Sequence, residues 1–218
     1  MIKRAMIICG GVIEEDFALT TIREEQPECI IAVDRGLEFL DQHKIVPDVI
    51  VGDFDSVSEK ILSRYIGEKT ISIYQHDSKK ESSDTELAIE AAIELNHKEL
   101  LILGATGKRL DHFWGNIQSL KIPLDAGVKG MILDSQNRIR LLNKDFVLKK
   151  EDSFGRYFSL FPLGETVENV TIEGAKYPLK GESLTPWSSR FISNEIAEEE
   201  LKIIFEHGII ILMETKDR

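Results

Sequence analysis

A chain of 218 residues, 42% hydrophobic and 30% charged, has the length and apolar content for one large or two modest globular domains and excludes a disordered or fibrous protein. Its formal net charge of -11 and pI near 5.0 repel nucleic-acid backbones and anionic lipid, so a phosphate-bearing substrate needs local compensation by a metal ion or an arginine. Cys9 and Cys29 both lie in apolar runs, which fits free thiols better than a disulfide framework. The apolar run after Met1 breaks at Gly10, too short for a signal peptide or a membrane span, so the expectation is a cytoplasmic protein with no nucleic-acid or membrane partner.

Along the chain, short apolar runs alternate with helix-like segments: Ala5 to Cys9, Cys29 to Val33, Val49 to Val51, Thr70 to Tyr74, Leu100 to Leu103 and Met131 to Leu133. This alternation predicts parallel βα units. Ser83-Asp84-Thr85-Glu86 has the spacing of a capping box, followed by Leu87, Ala91 and Leu95 at i, i+4, i+8, so Asp84 falls in the first turn of a helix. After Leu103, the turn Gly104-Ala105-Thr106-Gly107 leads to Leu110, Phe113, Trp114, Ile117 and Leu120, an apolar stripe at helical period. Beyond Asn137 the pattern becomes β-rich. Leu201 to Phe205 and Ile209 to Met213, separated by His207-Gly208, read as a hairpin, and several such strands suggest a sandwich or small barrel. The fold class expected is α/β: an N-terminal open, mainly parallel sheet flanked by helices (1–137), then a smaller C-terminal antiparallel β-sandwich (138–218).

The chemistry concentrates at strand ends, which in an open α/β sheet share one crevice. Gly10-Gly11, Asp34, Asp53 with Asp55, Gly104 to Gly107, and Asp134 follow five of the six parallel strands. Asp53 and Asp55, at i and i+2 of an extended segment, point the same way and can converge on a hard cation. Alternatively, Asp55 begins a turn and caps a helix near Ser56 or Ser58. Gly10-Gly11 and the Gly104 turn offer backbone N–H groups for phosphate, although neither a G-x-G-x-x-G nor a P-loop pattern is present, which disfavours an ordinary P-loop kinase. In Lys108-Arg109-Leu110-Asp111-His112, the arginine suits bidentate phosphate recognition. On one continuous helix Arg109 and Asp111 would diverge by about 200°, so both reach a common site only if the helix begins near Asp111. His112 is a candidate base, though a histidine on a helix flank is more often a structural hydrogen-bonder.

Val33-Asp34-Arg35-Gly36, Pro47 to Ser56, Ser83 to Ala88 and Gly104 to His112, in that order, resemble thiamine pyrophosphokinases, and Lys176 to Leu179, Ser188 to Arg190 and Ile192 to Glu195 resemble the thiamine-binding part of that family. The resemblance implies Mg²⁺-dependent transfer of the β,γ-pyrophosphoryl group of ATP to the thiamine hydroxyl, with AMP released. It implies that Asp53, Asp55 and Asp84 hold the metal, that Arg109 and Asp111 contact the phosphates and the reacting centre, and that Asp34, Gly104 and Thr106 line the nucleotide site. Either Asp55 or Asp111 would accept the hydroxyl proton. Ser193 and Asn194 would sit beside thiamine, with Trp187 covering the cationic ring. A homodimer is implied, with thiamine sites near the subunit interface.

Some positions depart from the family pattern. Lys80-Glu81-Ser82-Ser83-Asp84 stands where Lys-Asp-x-Thr-Asp is usual, and Phe191 replaces the glycine before Ile-Ser-Asn. Two other readings compete. Val49 to Val57 also fits the strand-DxDxV pattern of haloacid-dehalogenase-like phosphatases, with Asp53 as nucleophile, and a non-catalytic nucleotide- or thiamine-binding regulator would share the same fold.

Overall fold

The structure is a computed structural model and describes residues 3–55, 57–75, 82–107 and 109–217. Ser56, Lys80, Glu81 and Lys108 of the motifs above lie outside the described residues. The chain divides into two compact units, Met1–Ser135 and Gln136–Arg218.

The first unit carries six strands: β1 (Arg4–Ile8), β2 (Cys29–Val33), β3 (Val49–Gly52), β4 (Ser72–Gln75), β5 (Glu99–Leu103) and β6 (Lys129–Leu133). They lie in the order β6-β5-β1-β2-β3-β4, and every neighbouring pair is parallel. Between them run α1 (Glu15–Glu25), α2 (Gly36–Gln42), α3 (Glu59–Tyr65), α4 (Asp84–Glu94), α5 (Leu110–Ser119) and α6 (Lys121–Asp125). Strands β1, β3 and β5 are buried almost end to end, as expected of parallel strands covered on both faces. Cys9 and Cys29 are buried free thiols.

Helix starts follow local chemistry. Glu14 accepts the Phe17 N–H at the start of α1, with Glu15 and Asp16 in its first turn and Arg23 in its last, complementing the helix dipole. The capping box at α4 is complete: Ser83 Oγ accepts from Glu86 N at 3.2 Å, and Glu86 Oε2 accepts from Ser83 N at 2.9 Å. Two apolar stripes differ from expectation. In α4 the buried face is Thr85, Ala88, Ile89, Ala91 and Ala92, while Leu95 is exposed. In α5 Ile117 is buried, as is Leu120 at its C-cap, but Leu110 and Trp114 face outward. The helix packs through its C-terminal half, and its first turn is exposed.

The second unit is a β-sandwich. One layer is a run of antiparallel strands in the order β12-β9-β14-β7 and the other a four-stranded antiparallel sheet in the order β11-β10-β13-β8, from β7 (Asn137–Leu142), β8 (Phe146–Lys149), β9 (Tyr157–Pro162), β10 (Val167–Glu173), β11 (Leu179–Leu184), β12 (Asn194–Glu195), β13 (Glu200–Ile204) and β14 (Ile210–Thr215). Phe158, Leu160, Val170, Ile172, Leu201 and Leu212 form part of the core between them. The expected hairpin around His207-Gly208 is absent. β13 pairs with β8 and β10, whereas β14 pairs with β7 and β9. Both runs are apolar on the face toward the same core, so the chain crosses from one sheet to the other: buried Phe205 donates its N–H to Asp145 Oδ1 at 3.2 Å, and Gly208 makes the turn at φ 103°. Buried Glu214 is satisfied by Arg138, Arg140 and the Phe154 N–H.

The box at α4 fixes the turn that carries Asp84. Ser83→Ala should cost about 1 kcal/mol of stability, read as a lower urea midpoint with an unchanged m-value; an unaltered midpoint would mean that tertiary packing alone sets this helix start.

Candidate functional site

In the first unit β1 lies between β5 and β2, so the chain runs outward from β1 in one direction through β4 and returns to β5 on its other side. The crevice at such a reversal, outside the carboxyl ends of the strands, is where open α/β sheets bind ligands. The loops after β1 and β5 meet there. Cys9 N donates to Leu103 O at 2.8 Å, Gly11 N to Gly104 O at 2.9 Å and Val12 N to Thr106 O at 3.2 Å. A Cβ on Gly11 would lie 2.3 Å from Gly104 O and 2.7 Å from Thr106 O, so only glycine allows this approach. The expectation that Gly10-Gly11 offers its N–H groups to phosphate is thus corrected at Gly11, whose N–H binds the two loops together.

Four carboxylates gather beside these loops. Asp34 follows β2 in the left-handed region, φ 46°, held by its N–H to Val51 O at 3.1 Å. Its Oδ1 is buried without a hydrogen-bond partner, and a Cβ on Gly52 would stand 2.2 Å from it. Burial first, then the charges of Asp84 and Asp53, a hydrogen bond with Asp84 and the charge of Asp55, push Asp34 up to about 7. A hydrogen bond between two carboxyl groups requires a proton on one of them, which fits that direction. Asp55 is also raised, chiefly through its hydrogen bond with Asp53.

Asp53 and Asp55 come together by a route other than the extended one expected. β3 ends at Gly52, and Phe54 is left-handed, φ 65°. Asp53 Oδ1 accepts the Asp55 N–H at 3.1 Å, so the pair meets through a tight turn while the Phe54 side chain is buried beneath it. Asp55 caps no helix; α3 begins after Ser58. The acids are neighbours in charge, but among the described residues no group of three or more is closed into a ligand shell.

Arg109 is the extended N-cap of α5, φ -98° and ψ 114°. The helix begins at Leu110, one residue before the start expected, and leaving Arg109 off the helix lets it fold back on Asp111. Its Nε and Nη2 contact the two Asp111 oxygens at 3.1 and 2.6 Å. That pairing, with the His112 N–H at 2.9 Å, holds Asp111 down to about 2. Both side chains are well exposed. Asn116, which the sequence reading passed over, donates from Nδ2 to Ala105 O at 2.8 Å. Its signal was a polar residue next to Ile117 within the apolar stripe.

In the second unit Ser193 is left-handed, φ 57°, with its N–H on Ser159 Oγ at 3.0 Å. Asn194 is buried; its Oδ1 accepts from Tyr177 N and Glu195 N, and its Nδ2 donates to Tyr177 O at 2.8 Å. It therefore pins the Lys176 to Leu179 segment. A pocket of about 450 Å³ is lined by Phe158, Tyr177, Leu179, Arg190, Phe191 and Asn194, among others. Arg190 is paired with Glu182, and Lys176 with Glu195. Phe191, in place of the usual glycine, packs into the sandwich core. Trp187 is 82% exposed and does not line the pocket.

The first unit thus has the build of an open α/β enzyme domain with an acidic strand-end site, and the second that of a ligand-binding sandwich. The family model described as the thiamin pyrophosphokinase catalytic domain matches residues 23–132, and that of the thiamin pyrophosphokinase vitamin B1 binding domain matches residues 145–210. The chain is 33% identical to a thiamine pyrophosphokinase of Bacillus subtilis over 86% of its own length and 87% of the relative's. It is 28% identical to thiamine pyrophosphokinase 2 of Arabidopsis thaliana, covering 82% of this chain and 69% of that one. Among solved structures, it resembles thiamine pyrophosphokinase from Bacillus subtilis with a TM-score of 0.87 at 30% identity over 99% of this chain and 100% of that one. The corresponding protein of Geobacillus thermodenitrificans gives 0.82 at 27% over 98% of each. The chain belongs to the thiamine pyrophosphokinase family. Neither the phosphatase reading nor that of a non-catalytic regulator finds support.

Raised above its unfolded value, Asp34 leaves the folded chain holding more protons than the unfolded one between about pH 4 and its own value of about 7, so its contribution to stability falls as pH rises through that window. Asp34→Asn in EDTA should therefore melt above wild type near about pH 8, with the gap closing towards about pH 5. Equal melting temperatures at both would mean that the acids do not repel one another in solution.

Proposed function

We propose that this protein transfers the β,γ-pyrophosphoryl group of ATP to the hydroxyl of thiamine, giving thiamine diphosphate and AMP, with Mg²⁺ as cofactor. The observation that carries the reading is the set of four repelling carboxylates, Asp34, Asp53, Asp55 and Asp84, at the carboxyl edge of a parallel sheet, in a chain whose first unit matches the family's catalytic domain. The donor set fits a hard divalent cation: it is all oxygen, it repels itself, and Asp34 leaves one buried oxygen without a partner. Asp53, Asp55 and Asp84 would hold the ion, with Asp34 facing the nucleotide. When bound, it would neutralise and orient the triphosphate oxygens.

The chain's own residues do the rest. Gly104 to Gly107 line the phosphates, and Arg109 meets the transferring group with its planar fork, offsetting charge on the phosphoryl oxygens. The thiamine hydroxyl attacks the β-phosphorus in line with the bridging oxygen that leaves with AMP. Asp55 or Asp111 accepts the hydroxyl proton: Asp55 stands among the metal-type acids, and Asp111 is held down to about 2 by Arg109 only for as long as that pair lasts.

Thiamine binds through the second unit, at the pocket floored by Phe158 and Phe191, with Ser193 beside it and Asn194 holding the Tyr177 segment in place. Trp187, Tyr177 and Ile192 are all exposed, which supports a homodimer in which a second copy completes this surface and Trp187 covers the cationic ring. Two buried free cysteines support residence in the cytoplasm.

Thiamine, ATP and Mg²⁺ incubated with the protein should yield thiamine diphosphate and AMP in equal amounts by chromatography; ADP with thiamine monophosphate would overturn attack at the β-phosphorus. Asp53→Asn and Asp84→Asn should each lose at least about a hundredfold in kcat/KM with the fold retained, and wild-type turnover in either would remove the metal assignment. Trp187→Ala should raise the thiamine KM about tenfold and leave that for ATP unchanged.

A further inference from the structure

The loop after β5 is anchored through three successive carbonyls. Gly104 O accepts from Gly11 N and Thr106 O from Val12 N, both supplied by the loop after β1. The carbonyl between them, Ala105 O, accepts from Asn116 Nδ2 at 2.8 Å. In a trans peptide the N–H of the following residue points opposite to the carbonyl. Anchoring these three carbonyls therefore turns the N–H groups of Ala105, Thr106 and Gly107 away from their anchors, and no described residue accepts a hydrogen bond from them. Two anchors are backbone groups made possible by Gly11; the third depends on one side chain.

Asn116 is itself well placed for this task. It sits on α5, half-buried, and its backbone carbonyl accepts from Ser119 Oγ at 2.8 Å. Its bond to Ala105 closes a span of eleven residues, inside which lie Arg109 and Asp111. The helix that presents Asp111 in its first turn is thereby tied to the loop whose amides face outward.

We propose that Asn116 is a positioning residue for the nucleotide: it orients the Gly104–Gly107 amides and sets their distance from the Arg109–Asp111 pair. This rests on the reading above that the loop and Arg109 receive the phosphates of ATP.

The test compares Asn116→Asp and Asn116→Leu, both close in size to asparagine. Neither can donate to Ala105 O, and the carboxylate in addition faces its lone pairs. The expected result is a rise of roughly tenfold in the KM for ATP in both, a thiamine KM within about twofold of wild type, and faster amide exchange at Gly11 and Val12, whose N–H groups are bonded to this loop, while β5 stays protected. An ATP KM equal to wild type in both variants, or ATP and thiamine KM rising together with a fall in melting temperature, would overturn the proposal, the second result marking Asn116 as a general structural residue. Should one variant fail to fold, the other carries the comparison. Arg109→Ala separates the two levels: if it too leaves the ATP KM unchanged, the nucleotide reading has failed, whereas a raised KM there beside unchanged Asn116 variants defeats this inference alone.

Discussion

Mutual repulsion among Asp34, Asp53, Asp55 and Asp84 is the constraint on which the first unit turns. Left to itself, such a group would spread apart, and a flexible scaffold would let it. Here the four acids are attached to three elements of a stiff scaffold: the end of β2 for Asp34, the end of β3 for Asp53 with Asp55, and a fully capped helix start for Asp84. The cost shows in the backbone. Asp34 and Phe54 both occupy the left-handed region, unfavourable for side chains with a Cβ and worst for a bulky one such as Phe54. That strain persists because the surroundings over-determine it: Asp34 continues the ladder to Val51, and Phe54 is buried under the turn it makes. Strain of this kind concentrates where a structure must hold groups in an arrangement they would not choose.

The same logic separates what could be read from the sequence from what could not. The six parallel strands were legible because β1, β2, β3 and β5 are buried runs punctuated by glycine and acid, and the α4 start because a capping box is a local hydrogen-bond pattern. The acidic residues at strand ends were legible for the same reason. What escaped was decided by tertiary geometry. The extended route imagined for Asp53 and Asp55 ignored that a left-handed Phe54 brings neighbouring carboxylates together as well. β13 and β14 look like a hairpin in sequence, since both are apolar about a His-Gly turn, yet two apolar strands facing one core can be satisfied equally by belonging to opposite sheets. Asn116 showed only as a polar residue inside an apolar stripe, because its partner is a backbone carbonyl eleven residues away.

The sandwich solves a different problem, that of shaping a pocket from side chains that are mostly committed elsewhere. Asn194 spends both of its polar ends on the backbone of Tyr177 and Glu195, so it contributes shape before it contributes contacts. Phe191 fills the sandwich core where a glycine would leave a void, and its backbone carbonyl still takes the Leu160 N–H at 2.9 Å. The cations at the rim, Lys176 and Arg190, are neutralised by Glu195 and Glu182. A pocket floored by aromatic rings and stripped of free positive charge suits a ligand that is itself an aromatic cation.

Arg109 meets the opposite difficulty. In a chain of net charge -11, an unattached guanidinium would be drawn onto any carboxylate within reach. Asp111 supplies a nearer partner, two residues away and in bidentate geometry. Because carboxylate and phosphate present the same pair of acceptor oxygens to the fork, an arriving phosphoryl group can take the place of Asp111 without the arginine ever losing its charge-assisted bonds. The pair is also exposed to solvent, where an ion pair contributes little to stability, so exchanging one anion for another costs little. Asp111 thus keeps Arg109 partnered while leaving it free to be claimed by an incoming anion.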